Sequence, residues 1–149
     1  ELVDECLDTA APFGLVLADD EGLREVMQNA RKLAVIGMKR DGAANYVPRY
    51  MEQRGYAIIP VNPNFDEIDG KTSLRSVNEA GGADMVVVFR RSETIEDHAR
   101  EILEMSPLPQ SVWLQLGIRN DRASEMLREA GIDVVQSRCL KIEYPRLIG

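Results

Sequence analysis

The sequence predicts a doubly wound α/β protein, in which helices cover both faces of a parallel sheet. Five short apolar runs alternate with segments of helical periodicity along most of the chain. The run at 84–89 is apolar at almost every position, which is typical of a strand covered on both faces. Glycines follow several of these runs and helices, as expected where a strand or helix ends in a tight turn.

The first half of the chain opens with a predicted helical lead-in over residues 1–31. Asp19 or Asp20 is a suitable cap for a helix from Glu21 to Arg31. The first strand is predicted at 33–36. A helix follows at 46–54, ending at Gly55, with Asn45 as its cap and Pro48 in its first turn.

The second half continues the alternation and completes the predicted sheet. The remaining strands are predicted at 56–61, 84–89, 111–116 and 132–135, and the helices at 94–105 and 122–130. A short helical turn is expected near 74–78, Ser92 is the predicted cap of the helix at 94–105, and a tail runs from 136 to 149. We therefore expect one Rossmann-like domain at 32–149, with a five-stranded parallel sheet in the order 3-2-1-4-5.

Composition restricts the function. The 149 residues are 44% hydrophobic and 29% charged, as in an ordinary globular protein. No apolar run or signal pattern indicates a membrane, and a net charge of −7 argues against nucleic-acid binding. The distant cysteines, Cys6 and Cys139, are predicted to be reduced thiols of a cytoplasmic protein. A single histidine excludes histidine-rich metal sites and most histidine-based triads.

The candidate site lies where the predicted strands end, because ligands of such sheets bind at the carboxyl ends of the strands. These ends contain four cations but one nearby acid, Asp41, although the whole chain is acidic, which suggests a ligand with several phosphates. The candidate residues are Gly37, Met38, Lys39, Arg40, Asp41, Gly42, Val61, Asn62, Pro63, Asn64, Phe89, Arg90, Arg91, Gln115, Leu116 and Gly117.

The spacing of the glycines leaves alternatives open. Gly37 and Gly42 form G-x-x-x-x-G, which is neither the dinucleotide fingerprint nor a P-loop. An NAD site needs an acid at the end of the second strand, and Asp66 comes several residues late. An NAD(P)-dependent oxidoreductase, or a fragment of one, is therefore the alternative interpretation. Gly37 also suits a simple tight turn, and Arg90 and Arg91 also suit pairing with nearby glutamates.

Five ordered blocks resemble a known family, the small stand-alone CoA-binding proteins, whose domain is similar to the CoA-binding domain of the succinyl-CoA synthetase α subunit. The blocks are AVIG at 34–37, GYAIIPVNPN at 55–64, VVVFRRSE at 86–93, WLQLGI at 113–118 and RCLKIEYPRL at 138–147. The resemblance implies coenzyme A (CoA) or an acyl-CoA as ligand. It places the phosphates near 37–42, the adenosine near 61–64, further contacts at 89–91 and 115–117, and the pantetheine arm toward Cys139.

No catalytic constellation is visible in the sequence, so we expect binding without catalysis by this chain alone. His98 is interpreted as a partly exposed helix residue, and Cys139 as a small buried residue rather than a nucleophile. Met38 follows the first glycine where relatives often have a small residue. A sensor, a carrier or a subunit of a larger assembly are the expected roles, and a protein partner or a homo-oligomer remains open.

Overall fold

The computed structural model describes residues 13–149 of the chain. Residues 1–12 of the predicted lead-in, with Cys6, lie outside the described residues. The helices are α1 (Asp20–Asn29), α2 (Ala43–Gln53), α3 (Ile95–Ile102), α4 (Asp121–Glu129) and α5 (Leu140–Leu147). The strands are β1 (Lys32–Ile36), β2 (Ala57–Val61), β3 (Glu67–Ile68), β4 (Lys71–Thr72), β5 (Met85–Val88), β6 (Ser111–Leu114) and β7 (Asp133–Val135).

The main sheet has five parallel strands in the order β2-β1-β5-β6-β7, which confirms the predicted fold class. Leu74 extends it by one parallel bridge to Val61 at the free edge of β2. If the segment at Leu74 is counted as the third strand, β5 and β6 become the fourth and fifth strands. The order is then the predicted 3-2-1-4-5, with β7 added as a sixth strand beside β6. The sequence analysis had taken residues 84–89 as the third strand. That strand, β5, lies on the other side of β1 because the intervening chain already covers the edge of β2.

Each face of the sheet buries its own apolar cluster. On one face, side chains of α3 and α4 pack on strand residues such as Ala34, Val86 and Val112. On the other face, α1, α2 and α5 cover Leu33, Trp113 and their neighbours. Leu23 and Met27 of α1 have no exposed surface, so this helix is part of the same layered core. None of the helices between residues 13 and 149 is long and apolar enough to cross a membrane.

Helix α2 begins three residues earlier than predicted, with Gly42 as its N-cap. Asn45 is therefore inside the helix, and Pro48 lies beyond its first turn, contrary to the prediction. Proline has no N–H for the carbonyl four residues earlier, which here belongs to Ala44. That carbonyl accepts instead from the backbone N–H of Lys39 at 3.2 Å. The loop after β1 supplies the hydrogen bond that the proline cannot make.

Three further segments differ from the sequence prediction. Residues 14–17 of the lead-in are extended along β7, where Leu15 and Leu17 hydrogen-bond to Val134; α1 itself has Asp19 as its cap, as predicted. The loop after β2 contains the β3–β4 hairpin, which turns at Asp69 and Gly70, both with positive φ. Residues 140–147 of the predicted tail form α5 despite Pro145.

The predicted cap of the helix at 94–105 has another role. A 3-10 turn at Ser92–Thr94 precedes α3, and the Ser92 hydroxyl accepts from the N–H of Arg119 at 3.0 Å. The side chain of Asn120 in turn donates to the Ser92 carbonyl at 2.9 Å and accepts from the N–H of Ala123 as the cap of α4. Ser92 therefore joins the loops that follow β5 and β6 rather than capping its own helix.

Candidate functional site

A crevice of about 510 Å³ opens at the carboxyl ends of β1, β2 and β5. Strand β1 pairs with β2 on one side and with β5 on the other, so the order of the strands reverses at this point. Open α/β sheets bind their ligands at such a reversal. Ile36, Val61 and Phe89 provide the apolar part of the lining.

Gly37 brings two of these strand ends together. Its N–H donates to the Val61 carbonyl at 2.8 Å, and its φ is +82°. A Cβ at this position would lie 2.3 Å from the Phe89 carbonyl oxygen and 3.2 Å from Nε of Arg90. Glycine is therefore required here by close packing of the strand ends, as well as by the turn itself.

Four cationic side chains line the crevice: Lys39, Arg75, Arg90 and Arg91. Within residues 13–149, none of them forms a salt bridge or a side-chain hydrogen bond with a carboxylate. The sequence analysis had Arg40 in this set and missed Arg75. Arg75 follows Leu74, and only the bridge between Leu74 and β2 brings it to the strand ends. A bridge of one residue produces no alternating hydrophobic pattern, so it could not be predicted from the sequence.

Arg40 is held elsewhere and does not line the crevice. Its Nε and Nη2 donate to the carbonyl of Glu67 at 3.1 and 2.6 Å. Its guanidinium carbon lies 4.9 Å from the centre of the Phe65 ring, a cation–π distance. The prediction that Arg40 belongs to the cation cluster is therefore corrected, because the β3–β4 hairpin occupies this side chain.

The crevice also contains His98 and Glu101 of α3, neither of which the sequence analysis placed in the site. Nδ1 of His98 lies 3.1 Å from a carboxylate oxygen of Glu101. The His98 side chain is 20% exposed and the Glu101 side chain 42%. Their spacing of three residues puts both on one face of a helix, but the sequence does not say that this face borders the strand ends.

The N-terminus of α2 adjoins the loop that carries Lys39. Its first turn contains no acidic side chain of its own to interact with the positive end of the helix. Asn45 ties this turn to its surroundings, because its amide donates to the Lys39 carbonyl at 2.9 Å and to the Asp69 carboxylate at 2.8 Å. The loop after β1 is thus fixed from both sides.

Three predicted site residues have side chains that lie in the interior. Met38 is 1% exposed and packs in the core. The amide of Asn62 donates to the Met38 carbonyl at 2.9 Å and accepts from the N–H of Asn64 at 3.0 Å. The side chain of Gln115 accepts from the N–H of Leu140 at 3.2 Å. These side chains hold the loops together and are not free to contact a ligand.

Six predicted site residues line the crevice: Lys39, Val61, Pro63, Phe89, Arg90 and Arg91. Five other predicted site residues are exposed but do not line the crevice. They are Asp41, Gly42 and Asn64 in the loops after β1 and β2, and Leu116 and Gly117 after β6. Cys139 is half-buried at the start of α5, with a free thiol. The described part of the chain holds no group of three or more His, Cys, Asp or Glu side chains suited to a metal ion.

A second concavity, of about 380 Å³, lies at the opposite end of the sheet, where β2 begins. It is lined by Arg31, Arg54 and Tyr56 among others. The Tyr56 hydroxyl donates to the Met27 carbonyl at 2.6 Å, and burial raises the pKa of the Tyr56 phenol to about 12. This concavity is far from the strand ends that form ligand sites in α/β sheets.

Comparison with known proteins identifies the family of this chain. Residues 31–145 match the family described as CoA binding domain. The chain belongs to the CoA binding domain family. The match includes every main-sheet strand and every residue that lines the crevice. The resemblance drawn from the five sequence blocks is thereby confirmed.

Several proteins are similar to this member of the CoA binding domain family. The uncharacterized protein YneT of Bacillus subtilis is 37% identical over 126 residues, which cover 82% of this chain and 91% of YneT. The solved structure of cell-free ID.343 from Thermus thermophilus has a TM-score of 0.81 and 39% identity, covering 88% of this chain and all of that chain. A hypothetical protein from Pyrococcus horikoshii OT3 has a TM-score of 0.82 and 29% identity, covering 89% and 94%.

Proposed function

We propose that this chain binds coenzyme A, or an acyl-CoA, with phosphates in the crevice at the carboxyl ends of β1, β2 and β5. One observation carries the proposal: Lys39, Arg75, Arg90 and Arg91 line one crevice without a carboxylate partner in the described residues. Cations brought together in this way repel each other, and an anion with several charges relieves that repulsion. CoA carries three phosphate groups, and membership of the CoA binding domain family supports it as the ligand.

The side chains that line the crevice suit both the phosphates and the adenosine of CoA. Arginine guanidinium groups bind phosphate through paired, charge-assisted hydrogen bonds. The apolar surface of Val61 and Pro63 is available to the adenosine. The pantetheine arm would then lead toward the segment of Cys139, as the family resemblance implies.

We further propose that the chain acts as a CoA sensor, carrier or subunit and does no chemistry alone. Among the described residues, the crevice side chains suited to proton transfer are Lys39, His98 and Glu101. The Thr94 hydroxyl also lines the crevice, but it donates its hydrogen to the Arg91 carbonyl at 2.8 Å rather than to one of these groups. A reduced state of the two cysteines favours the cytoplasm as its location.

Thermal unfolding with added ligands tests the proposal. A ligand that binds only the folded state at ~100-fold excess over its Kd stabilises it by about 2.7 kcal/mol. For a chain of this length that corresponds to a rise in Tm of roughly 5–10 °C. We expect this rise with CoA and acetyl-CoA. A rise with NAD or NADP but none with CoA would reject the proposal in favour of the oxidoreductase alternative.

Variants of the lining then test the site. Arg90→Gln and Arg91→Gln each remove one charge-assisted contact, worth about 1.5–3 kcal/mol, so we expect CoA affinity to fall by roughly 10- to 100-fold in calorimetry. Arg100→Gln is the matched control, because Arg100 is 60% exposed on α3 and pairs with Asp97. Equal losses in the control and in the crevice variants would show that the crevice is not the site.

A further inference from the structure

His98 is the single histidine of the chain and faces the crevice together with Glu101. A carboxylate can only accept, so the Nδ1 of His98, 3.1 Å from Glu101, carries the hydrogen of this contact. The second ring nitrogen, Nε2, then carries no hydrogen in the neutral ring. A carboxylate that fixes the ring in this way also stabilises its protonated form.

The surroundings of His98 contain more positive than negative charge. The groups of the crevice are Lys39 after β1, Arg75 after Leu74, Arg90 and Arg91 after β5, and Glu101 on α3 itself. Four cations and one carboxylate give the lining a net charge of +3 while the imidazole is neutral.

Helix α4 and the 3-10 turns Val77–Glu79 and Ser92–Thr94 pack on α3. Together with α3 itself, they carry further charged groups that do not line this crevice. The carboxylate of Glu79 accepts from the N–H groups of Arg75 and Ser76. On α4, Arg122 pairs with Glu125. The Glu104 side chain accepts from Asn78. The remaining charges on these elements are those of Glu93, Glu96, Asp97, Arg100, Asp121, Arg128 and Glu129.

We propose that His98 takes up a proton at Nε2 when the phosphates of CoA enter the crevice. This inference rests on the proposed function. The diphosphate of CoA carries about two negative charges near neutral pH. The phosphate on the 3′ position of its ribose, called here the terminal phosphate, carries up to about two more. A lining charge of +3 leaves about one of these four charges uncompensated, and an imidazolium supplies it. Dephospho-CoA lacks the terminal phosphate, so the lining already exceeds its charge and no proton is required.

The proton comes from the buffer, and no bond other than Nε2–H forms. Binding of CoA is then linked to pH, because a proton taken up on binding favours the complex as the pH falls. One proton changes affinity by at most about tenfold per pH unit. The crevice thus distinguishes CoA from dephospho-CoA by a proton as well as by direct contact with the terminal phosphate.

Two measurements at pH 7.5 read this proton directly. Because His98 is the single histidine, its ring C–H resonances in NMR are assigned without ambiguity. We expect CoA to move them toward the imidazolium position, and dephospho-CoA to leave them close to their position in the free protein. Calorimetry in two buffers of different ionisation enthalpy gives the protons exchanged on binding. Wild type is expected to take up more protons per CoA than His98→Gln.

The difference between these two proteins isolates the histidine, since the terminal phosphate exchanges its own protons in both. Glu101→Gln keeps an acceptor for Nδ1 but removes the charge that supports the imidazolium, so its proton uptake is expected to fall. Asp97→Asn is the control on the same helix, because Asp97 is exposed and pairs with Arg100. Its uptake is expected to equal that of wild type.

CoA binding with unmoved His98 resonances and equal proton exchange in wild type and His98→Gln would overturn this inference and leave the proposed function standing. Failure of CoA to bind at all would remove both.

Discussion

Replacing Gly37 by alanine tests how tightly the strand ends at the crevice are packed. The added Cβ would lie 2.3 Å from the carbonyl oxygen of Phe89 and 3.1 Å from its carbonyl carbon. These are backbone atoms of the residue that directly follows the buried strand β5, so they cannot turn aside as a flexible side chain would. The φ of +82° adds the strain of a left-handed conformation for any residue with a Cβ.

The magnitude separates into these two contributions. The left-handed conformation costs roughly 1–2 kcal/mol, and forced displacement of packed neighbours costs about 1–3 kcal/mol more. We therefore expect Gly37→Ala to lower the free energy of unfolding by about 2–5 kcal/mol. Gly117→Ala is the matched control, because Gly117 also follows a main-sheet strand with a φ of +86°, and nothing lies within 4 Å of its Cβ position. That variant is expected to lose only about 1–2 kcal/mol.

Urea unfolding of wild type and both variants measures these losses at one pH and temperature. The m-values must agree for the comparison to report stability alone. Equal destabilisation of the two variants, within about 0.5 kcal/mol, would refute the reasoning, because backbone conformation would then account for the whole effect and the approach to Phe89 for none of it.

Two other substitutions address the loops and the response to pH. Asn62→Ala orphans the Met38 carbonyl and the Asn64 N–H, so we expect a loss of about 1–3 kcal/mol in urea unfolding, against less than about 0.5 kcal/mol for the exposed Asn78→Ala. The pKa of Tyr56 is raised to about 12, so the unfolded chain loses the phenol proton from about pH 10 while the folded chain keeps it. The contribution of this phenol to the free energy of unfolding is therefore present below pH 10 and is lost as the pH rises toward 12. Tyr56→Phe is expected to lose less stability than wild type between pH 9 and pH 11; an identical decline would contradict this assignment.

The sequence predicted the alternation of strands and helices well because each main strand is a short apolar run that repeats one physical requirement, burial on both faces. It did not predict that Leu74 extends the sheet, since a bridge of one residue leaves no pattern. It also missed α5, which forms in the predicted tail although Pro145 lies inside the helix. Tertiary contacts override such local preferences: Leu140, with the partly buried Tyr144 and Leu147, completes the core on one face of the sheet.

The candidate site was predicted as a location more accurately than as a set of side chains. Cations placed directly after β1 and β5 reach the crevice, because the strand end fixes where the next residues lie. Arg40 and Arg75 could not be distinguished in this way, since their positions depend on a hairpin and an edge contact. The sequence analysis noted that Gly37 suits a tight turn, and the Phe89 carbonyl beside it adds a second requirement for glycine that no sequence pattern shows.

Pro48 has a consequence for how the loop after β1 moves. By freeing the Ala44 carbonyl for Lys39, it connects that loop to the first turn of α2. The Lys39 amide then exchanges with solvent hydrogen only when this turn opens, so loop and helix share one opening event. Ordering the backbone of a free residue costs about 1–2 kcal/mol. The backbone of Lys39 is already ordered in the folded protein. Binding of an anion beside Lys39, as proposed, would therefore not include the free-energy cost of ordering this backbone.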